Sequence, residues 1–263
     1  MKKCSVDRGL HLCKKTQSLR RDSSIIACAW LSNGDTMIVA NEKQKLKLFQ
    51  AEKLTHQKTV IAPRATTKSL IRSLHVARNE NASSLVFCSF DNGEIGIAKR
   101  PLDGNPRRSY TTSAHPKKIV DVEVEHSGKY FLTMGGLEST INLWVVNQTS
   151  NDLANVTNDT YDCTVLLGGG GGGSIVEKIK ECFDRIAQDC GEVENQMMTI
   201  PIEEMISIFR FVGYFPSEEE ISNIRNEESK DAYVDQSKVI QIYVNYRAPE
   251  KIRTGEVSKL ILT

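Results

Sequence analysis

The chain has 263 residues, of which 40% are apolar and 25% are charged, and its formal net charge is +1. This composition is typical of a globular protein and excludes collagen-like and wholly disordered chains. No run approaches the ~18 consecutive apolar residues of a membrane helix, and no apolar run follows the N-terminal lysines, so we expect neither a membrane span nor a signal peptide. Seven scattered cysteines without a C-x-x-C pair favour reduced thiols and a cytoplasmic location.

Charge divides the chain into two regions. Residues 1–167 carry 23 Lys and Arg against 16 Asp and Glu, whereas residues 168–263 carry 11 against 17. Six consecutive glycines, Gly168 to Gly173, stand where the sign changes, and such a run is typical of a flexible tether. We therefore predict four segments: a basic domain over 1–150, a linker over 151–173, an acidic domain over 174–247 and a tail over 248–263.

The basic region contains an internal repeat of short β-strands. An Ile followed by apolar residues three and five positions later begins each copy, at Ile25, Ile71 and Ile119. Two further β-rich runs follow each start, separated by turn residues, and they predict strands over 37–40, 46–49, 85–88, 95–98, 130–133 and 141–144. Three short strands in about 45 residues is the period of a β-propeller blade. Residues 10–13 are interpreted as a fragment of an earlier blade.

These repeats resemble WD repeats. His115 lies four residues before Ile119, where the family has its Gly-His pair, and Trp144 fills the tryptophan position of the final strand. Ala114 replaces the glycine and Val145 replaces the family's aspartate, so the array is degenerate. The resemblance implies a partial propeller of about three blades and a fragment. Since propellers have about 4 to 8 blades, either the chain is the tail of a longer propeller or a partner covers its bare edges.

The residues give no catalytic constellation. The five histidines share no metal-site spacing with cysteines or carboxylates, and nucleophile-elbow, P-loop and dinucleotide-binding motifs are absent. We expect His115 to be a hydrogen-bonding residue of its sheet rather than a base. Basic pairs such as Arg107-Arg108 are interpreted as solvated loop charges, with an acidic partner as the alternative. The sequence therefore predicts a protein that is not an enzyme, has no cofactor and binds neither nucleic acid nor membrane.

Beyond the glycines the apolar spacing becomes helical. Ser174 with Glu177, and Ser217 with Glu220, each predict a capping box at a helix start. Gly213 is expected to end the second of four helices, and the fourth is expected to end before Pro249. The apolar positions that define the first, second, third and fourth helix are 175, 179, 182, 183 and 186; 205, 208, 209 and 212; 221 and 224; and 239, 240, 242, 243 and 246.

The four helices resemble the paired EF-hands of calmodulin-like proteins, most specifically from Glu203 to Tyr243. Ile200 and Val234 stand where the short β-bridge between two such hands lies. A calcium loop needs about twelve residues, a glycine at position 6 and a bidentate Glu at position 12. The segment Ser229–Lys238 is about two residues short, lacks the glycine and has Lys238 in place of that Glu. We therefore predict that the second loop binds no calcium.

The first loop departs from the calcium pattern as well. Ala187 takes the first ligand position, and Glu204 matches position 12 but cannot hold the ion alone. An irregular loop that uses Asp189, Glu192 and Glu194 is the alternative. The favoured interpretation is a calcium-free EF-hand-like pair that serves as a protein-binding scaffold.

The order of the two regions, with the stretch IFRFVGYFPSEEEISNIRNE over 208–227, resembles the cilia- and flagella-associated WD-repeat proteins that carry a C-terminal EF-hand region. This family belongs to the calmodulin- and spoke-associated complex. The resemblance implies the C-terminal portion of an axonemal scaffold at the radial spoke base, which contacts other subunits of that complex, radial spoke proteins and the doublet microtubule and supports cilium and sperm motility. A calcium-responsive WD and EF-hand regulator and a non-ciliary cytosolic WD adaptor are the alternatives.

Calmodulin-like pairs hold a partner helix in an apolar groove, which suggests a partner-binding site in the acidic region. Its acidic charge favours a basic amphipathic partner, and binding is expected without calcium. The alternative is that the same residues form the closed core of the helical region. The predicted groove residues are Phe183, Ile208, Phe209, Ile224, Ile242 and Tyr243.

Overall fold

The computed structural model describes residues 2–6, 10–14, 24–31, 34–63, 69–77, 85–147, 163–167, 170–194, 197–228 and 233–247. Over these ranges the protein is a mixture of antiparallel β-sheets and four α-helices. All the described sheets but one small one occupy the basic region, and the helices occupy the acidic region, as the change of apolar period predicts. The predicted tail over 248–263, most of the predicted linker and the loop residues 229–232 lie outside the described residues.

Sheets 1 and 2 each contain four antiparallel strands in sequential order. Sheet 1 consists of β3 (Ile25–Trp30), β4 (Thr36–Asn41), β5 (Lys45–Gln50) and β6 (Thr55–Ile61). Sheet 2 consists of β7 (Ile71–Val76), β8 (Leu85–Phe90), β9 (Glu94–Lys99) and β10 (Ser109–Ser113).

Sheet 3 contains three strands in the described part of the chain, and a separate hairpin precedes sheet 1. The strands of sheet 3 are β11 (Ile119–Val124), β12 (Tyr130–Gly135) and β13 (Ile141–Val145). The hairpin pairs β1 (Lys2–Val6) with β2 (Leu10–Lys14). The prediction of three strands per repeat is therefore confirmed for β3 to β5, β7 to β9 and β11 to β13.

The fourth strands, β6 and β10, were missing from the sequence-based prediction. Their sequences, THQKTVI and SYTTS, contain few apolar residues and lack the alternation that marks a half-buried strand. Each strand lies at the outer edge of its sheet, where it pairs with only one neighbouring strand.

The three sheets stack face to face in chain order. One apolar cluster joins sheet 1 to sheet 2 and contains Ile38, Val86 and Phe90, whereas a second joins sheet 2 to sheet 3 around Phe87 and Phe131. The first strands contact one another in succession, β3 with β7 and β7 with β11. Within the described residues this is an open stack of three sheets rather than a closed ring.

An identical irregularity in the first strand of each sheet shows that the sequence repeat is a structural repeat. The pairing register shifts directly after Ile25, Ile71 and Ile119, so each first strand carries a bulge at the same position of the motif. A bulge increases the local twist of a strand, and repeating it gives the three sheets the same curvature at their first strands.

A buried hydrogen-bonded chain joins the two residues that carry the WD resemblance. Trp144 Nε1 donates to Thr133 Oγ1 at 2.9 Å, and Thr133 Oγ1 lies 2.8 Å from His115 Nε2. The other ring nitrogen of His115 lies 2.7 Å from Glu138 Oε1. A neutral His115 with its proton on Nδ1 satisfies every link: the indole donates to the hydroxyl, the hydroxyl to Nε2 and Nδ1 to the carboxylate. Gly135 is required here, since a Cβ would lie 2.0 Å from Glu138 Oε1.

The four helices are α1 (Ser174–Cys190), α2 (Ile202–Phe211), α3 (Glu218–Glu227) and α4 (Gln236–Tyr246). The predicted capping box of α3 is confirmed, with Ser217 as the cap and Glu220 closing the box. The predicted cap of α1 is wrong: Gly173 is the capping residue, Ser174 is already helical, and no side chain caps this end. Gly173, the last residue of the glycine run, has an extended backbone, and the helix begins directly after it, one residue earlier than predicted.

The helices enclose one apolar core that extends into the segment predicted as linker. Cys163 and Leu167, in a 3-10 turn over Cys163–Leu167, are buried in the same cluster as the helix residues. A small sheet of β14 (Glu192–Glu194), β15 (Met197–Pro201) and β16 (Tyr233–Asp235) joins the loops. Ile200 pairs with Val234, which confirms the predicted bridge. We call α1 to α4, this turn and this sheet the helical unit.

Removing the hydroxyl group of Thr133 tests whether its hydrogen bonds to Trp144 and His115 stabilise sheet 3. Thr133→Val keeps the side-chain volume but leaves the buried Trp144 N–H and His115 Nε2 without their shared partner. We expect a loss of unfolding free energy of about 1–3 kcal/mol, measured by urea denaturation. Thr112→Val, on β10, is the control and should change stability by less than ~0.5 kcal/mol. Equal effects of the two variants would contradict the proposed role of Thr133.

Candidate interaction site

Helices α3 and α4 pack against the edge strand β6 of sheet 1. An edge strand has no neighbouring strand on its outer side, and side chains of these two helices take that place beside β6. The backbone N–H of Thr59 donates to Glu227 Oε1 at 2.6 Å, and the N–H of Ile61 donates to Asn245 Oδ1 at 3.2 Å. Because unpaired edge N–H groups attract other strands, these two bonds close the edge against such pairing.

Asn245 joins three parts of the molecule. Its Oδ1 accepts from β6, and its Nδ2 donates to the carbonyl of Asp103 at 3.3 Å, in the loop that follows β9. Gln241, one turn earlier on α4, donates to the same carbonyl at 3.3 Å. Gly104, with φ of +82°, has no room for a side chain, since a Cβ would lie 2.2 Å from Asn245 Oδ1. The helical unit is therefore bonded to sheets 1 and 2 at once.

Lys45 on β5 binds the C-terminal end of α4. The side chain is 3% exposed, and its ammonium donates to the carbonyls of Asn245 and Arg247, the latter at 2.5 Å. A cation at a helix C-terminus is favoured by the helix dipole and satisfies carbonyls that have no partner within the helix. Burial and, to a smaller extent, the nearby guanidinium of Arg247 together lower the pKa of Lys45 to about 7, while Glu220 acts in the opposite direction.

Glu227 is a buried carboxyl group that is held by neutral donors. It accepts hydrogen bonds from the Thr59 N–H and from the Tyr246 hydroxyl. Burial raises the pKa of Glu227 to about 8, and burial lowers the pKa of the adjacent His56 to about 4. At neutral pH His56 is uncharged and Glu227 is mostly protonated, so their 3.5 Å approach is a contact between neutral groups rather than an ion pair.

Ion pairs surround this buried contact. Lys47 Nζ lies 3.3 Å from Glu219, and Lys43 Nζ lies 3.9 Å from Glu220. Both pairs join basic β5 or the turn before it to acidic α3. Basic side chains of the first region therefore pair with acidic side chains of the second region at this contact. Partly exposed pairs of this kind contribute about 0–1 kcal/mol each, so they orient the contact more than they stabilise it.

The six predicted groove residues all lie in the core of the helical unit, where each is at most 4% exposed. Phe209 lies at the centre of an aromatic group, with its ring centroid 5.5 Å from that of Tyr243 and 5.9 Å from that of Tyr214. This arrangement is the closed core that the sequence analysis gives as the alternative. Binding of a partner helix by Phe183, Ile208, Phe209, Ile224, Ile242 and Tyr243 stays a prediction and requires the unit to open.

The positions that correspond to calcium ligands have other contacts in the structure. The Lys238 ammonium lies 3.1 Å from Glu228, and Asp235 caps α4 by accepting from the Lys238 N–H at 2.8 Å. Glu192 accepts from the Tyr233 hydroxyl at 2.9 Å. Among the described residues, no three His, Cys, Asp or Glu side chains converge as a metal site would require.

The contact between sheet 1 and the helices was not predicted from the sequence. The available signal was a polar residue inside an apolar helical run: Asn245 lies between Val244 and Tyr246, and all three are buried. Lys45 gave no comparable signal, because a lysine that alternates with leucines on a strand is the ordinary pattern of a half-exposed sheet.

Glu227 gives this contact a pH dependence. In the unfolded chain the carboxyl ionises near its ordinary pKa of 4.5, whereas in the folded chain it stays protonated up to about pH 8. Its stabilising contribution is therefore complete below pH 4.5 and is lost as the pH rises through 8. Glu227→Gln keeps an acceptor and does not titrate, so its stability relative to the parent should rise by roughly 2–4 kcal/mol between pH 4.5 and 8 and then level off.

The measurement for Glu227→Gln is urea denaturation of both proteins at several pH values. Lys45 and His56 titrate in both proteins, so the difference between the two isolates Glu227. Glu177→Gln, which removes an exposed carboxyl group of α1, is the control and should give a flat difference. A flat difference for Glu227→Gln as well would refute the buried neutral carboxyl.

The chain is similar to known proteins that share one name. No protein-family profile matches the chain. The chain is 26% identical to cilia- and flagella-associated protein 251 of Tetrahymena thermophila, over 95% of this chain and 28% of that protein. It is 27% identical to the protein of the same name from Pongo abelii, over 81% of this chain and 20% of that protein, and 26% identical to the one from Mus musculus, over 81% and 18%.

The chain therefore spans less than a third of the length of these relatives. The match with the Tetrahymena protein extends over both the sheets and the helical unit. None of the helices in the described ranges combines the length and apolar character of a bilayer span.

Proposed function

We propose that this chain is part of a cilia- and flagella-associated structural protein, in which it acts as a protein-binding scaffold. The observation that carries the proposal is the similarity to cilia- and flagella-associated proteins over 95% of the chain in one case, across sheets and helices alike. The geometry agrees with this role, because the two regions are joined into one body by buried polar contacts and the described surface retains apolar residues that other chains can cover.

Within this proposal the three sheets are WD-type blades and the helical unit is an EF-hand-like pair. The WD assignment is supported by the hydrogen-bonded chain from Trp144 through Thr133 to His115 and by the bulge that recurs in each first strand. The EF-hand assignment is supported by the pairing of Ile200 with Val234 between two helix pairs.

We place the scaffold at the radial spoke base of the axoneme, where its partners are other subunits of the calmodulin- and spoke-associated complex, radial spoke proteins and the doublet microtubule. Its role there is to support motility of cilia and of sperm. This finer assignment follows from the family resemblance of the 200–249 region.

The proposed role is not catalytic and uses neither calcium nor another cofactor. At the second loop, the ammonium of Lys238 lies beside the carboxylate of Glu228. A cation therefore already neutralises a carboxylate that could serve as a calcium ligand. Ala187, at the first ligand position of the other loop, has no oxygen in its side chain. A calcium-responsive regulator would need ligands that these positions do not offer.

Calcium titration tests the proposed calcium independence. We expect isothermal calorimetry on the full chain to detect no site tighter than the millimolar range, and the melting temperature to stay unchanged by added Ca²⁺. Lys238→Glu supplies the missing carboxylate and should by itself fail to create a tight site, because the remaining ligands are still absent. Micromolar binding by the unmodified chain would favour the calcium-responsive regulator.

Localisation tests the ciliary assignment. A tagged full chain expressed in a ciliated cell should remain in the axoneme after detergent removes the ciliary membrane. Lys45→Glu places a buried carboxylate beside the carbonyl end of α4 and should reduce axonemal retention by disrupting the contact between the two regions. Lys53→Glu, an exposed change of equal charge, is the control. Uniform cytoplasmic signal for the unmodified chain would favour the cytosolic adaptor.

A further inference from the structure

A cavity opens at the place where sheet 1, sheet 2 and the helical unit meet. It is lined by β6 with the two residues that follow it, by the end of β9, by most of the segment between β9 and β10, and by Leu166 of the helical unit. The volume of the cavity is about 40 Å³. Since a water molecule needs ~10–15 Å³ of such space, about three non-hydrogen atoms fit inside. We call this cavity the junction pocket.

The interior of the junction pocket is apolar. Leu46, Val60, Ala62 and Ala98 line it and belong to the buried cluster that joins sheet 1 to sheet 2. The two alanines are 5% and 7% exposed, and their small side chains leave space that larger residues would fill. A water molecule in such a place finds few polar partners, whereas a hydrocarbon group is favoured there. The interior therefore suits an aliphatic group.

One carboxylate fixes the rim of the junction pocket. Asp103 Oδ1 accepts the backbone N–H of Asn105 at 2.9 Å, and Asp103 Oδ2 lies 3.2 Å from Arg108 Nη1. The carbonyl of Asp103 accepts from Gln241 and Asn245 of α4. The rim is therefore held from both sides before any ligand arrives, which lowers the entropy that binding would cost.

The rim is also basic. The segment over 99–108 reads KRPLDGNPRR and contains four basic residues and one acidic residue. Lys99 and Arg108 line the pocket itself, and the one acidic residue, Asp103, already pairs with Arg108. A positively charged rim attracts acidic groups and disfavours basic ones. This position favours an acidic partner, which is the alternative interpretation of the basic pair Arg107-Arg108.

We propose that the junction pocket binds one aliphatic side chain, of valine, leucine or isoleucine, in an acidic segment of a partner polypeptide. Such a side chain has roughly three or four carbon atoms, which matches the space of about 40 Å³. Carboxylates on either side of this anchor lie opposite Lys99 and Arg108. An aromatic ring is too large for the pocket, and an aliphatic residue among basic ones is opposed by the charge of the rim.

The inference goes beyond the proposed function, because it specifies the chemistry of one partner segment and applies wherever in the cell the chain is located. It also differs from the predicted groove of the helical unit, whose partner is basic and whose residues lie in a closed core. Because sheet 1, sheet 2 and the helical unit all line the pocket, a bound segment contacts all three and should stabilise their junction.

Nuclear magnetic resonance of the full chain with short peptides tests the inference. The probe is the acetylated and amidated peptide Glu-Glu-Leu-Glu-Glu, and the controls are the same peptide with alanine for leucine and the peptide Lys-Lys-Leu-Lys-Lys. We expect the probe to shift the backbone N–H signals of Ala62, Gly104 and Ser109, which line the pocket, and to leave those of sheet 3 unchanged. It should bind at least about tenfold more tightly than either control.

Two pairs of variants locate the binding. Ala62→Leu fills the pocket and should abolish the signal shifts, while Ala51→Leu, in the turn between β5 and β6, adds the same atoms elsewhere and should not. Lys99→Glu should weaken binding by about tenfold or more, because it places a carboxylate opposite an acidic segment. Lys117→Glu, an exposed change of equal charge, should have no effect.

Circular dichroism shows whether each variant folds, and Lys99→Glu decides the outcome if Ala62→Leu does not. The proposal is overturned by the absence of saturable shifts at millimolar probe, by equal affinity for the leucine and alanine peptides, or by equal binding of the lysine peptide. Shifts that lie only outside the pocket would overturn it as well, as would folded variants that bind like the parent. Sedimentation that shows a second copy occupying the pocket would replace the acidic partner with self-association.

Discussion

The hydrogen bonds from the edge strand β6 to Glu227 and Asn245 are the contacts on which the relation of the two regions depends. An edge strand has backbone N–H groups directed away from its sheet, and once buried each of them must find an acceptor. A fifth strand would supply carbonyls at a fixed spacing. Here two helix side chains supply the acceptors instead, 18 residues apart in the sequence, so α3 and α4 are both bonded to the same strand.

This arrangement explains why the centre of the contact is neutral and its margin is charged. A carboxylate accepting at the Thr59 N–H would be a buried anion, and protonation of Glu227 avoids most of the cost of removing that charge from water. Lys45 is buried as well, but it lies against helix carbonyls that compensate for lost hydration. The partly exposed pairs of Lys47 with Glu219 and of Lys43 with Glu220 remain where water screens them. The opposite net charges of the two regions thus favour approach, while neutral hydrogen bonds fix the final position.

The sequence predicted what local patterns encode and missed what tertiary contacts decide. Strands with apolar alternation and the capping box at Ser217 could be located, since both signals lie within a few residues of one another. The cap at Ser174 was wrong because the helix begins one residue earlier than predicted, after Gly173 in the ordinary extended conformation of a capping residue. Strand β6 was missed because acceptors 168 and 184 residues further along the chain make its polar sequence acceptable at a buried edge. No window of sequence contains that information.

The two ends of the sheet stack are terminated by different physical means, and this difference determines what each can do. At sheet 1 the helices cover an edge, and edges are satisfied by hydrogen bonds that are specific in distance and direction. At sheet 3 a face is uncovered, and faces are satisfied by apolar area, which is adaptable in detail but demands a large and complementary surface. Attached helices can close an edge within one chain, whereas covering an apolar face requires a surface of matching area and shape. The contact at the edge is thus fixed within one chain by directional hydrogen bonds, whereas the exposed face in the described part of sheet 3 is an apolar surface without such direction.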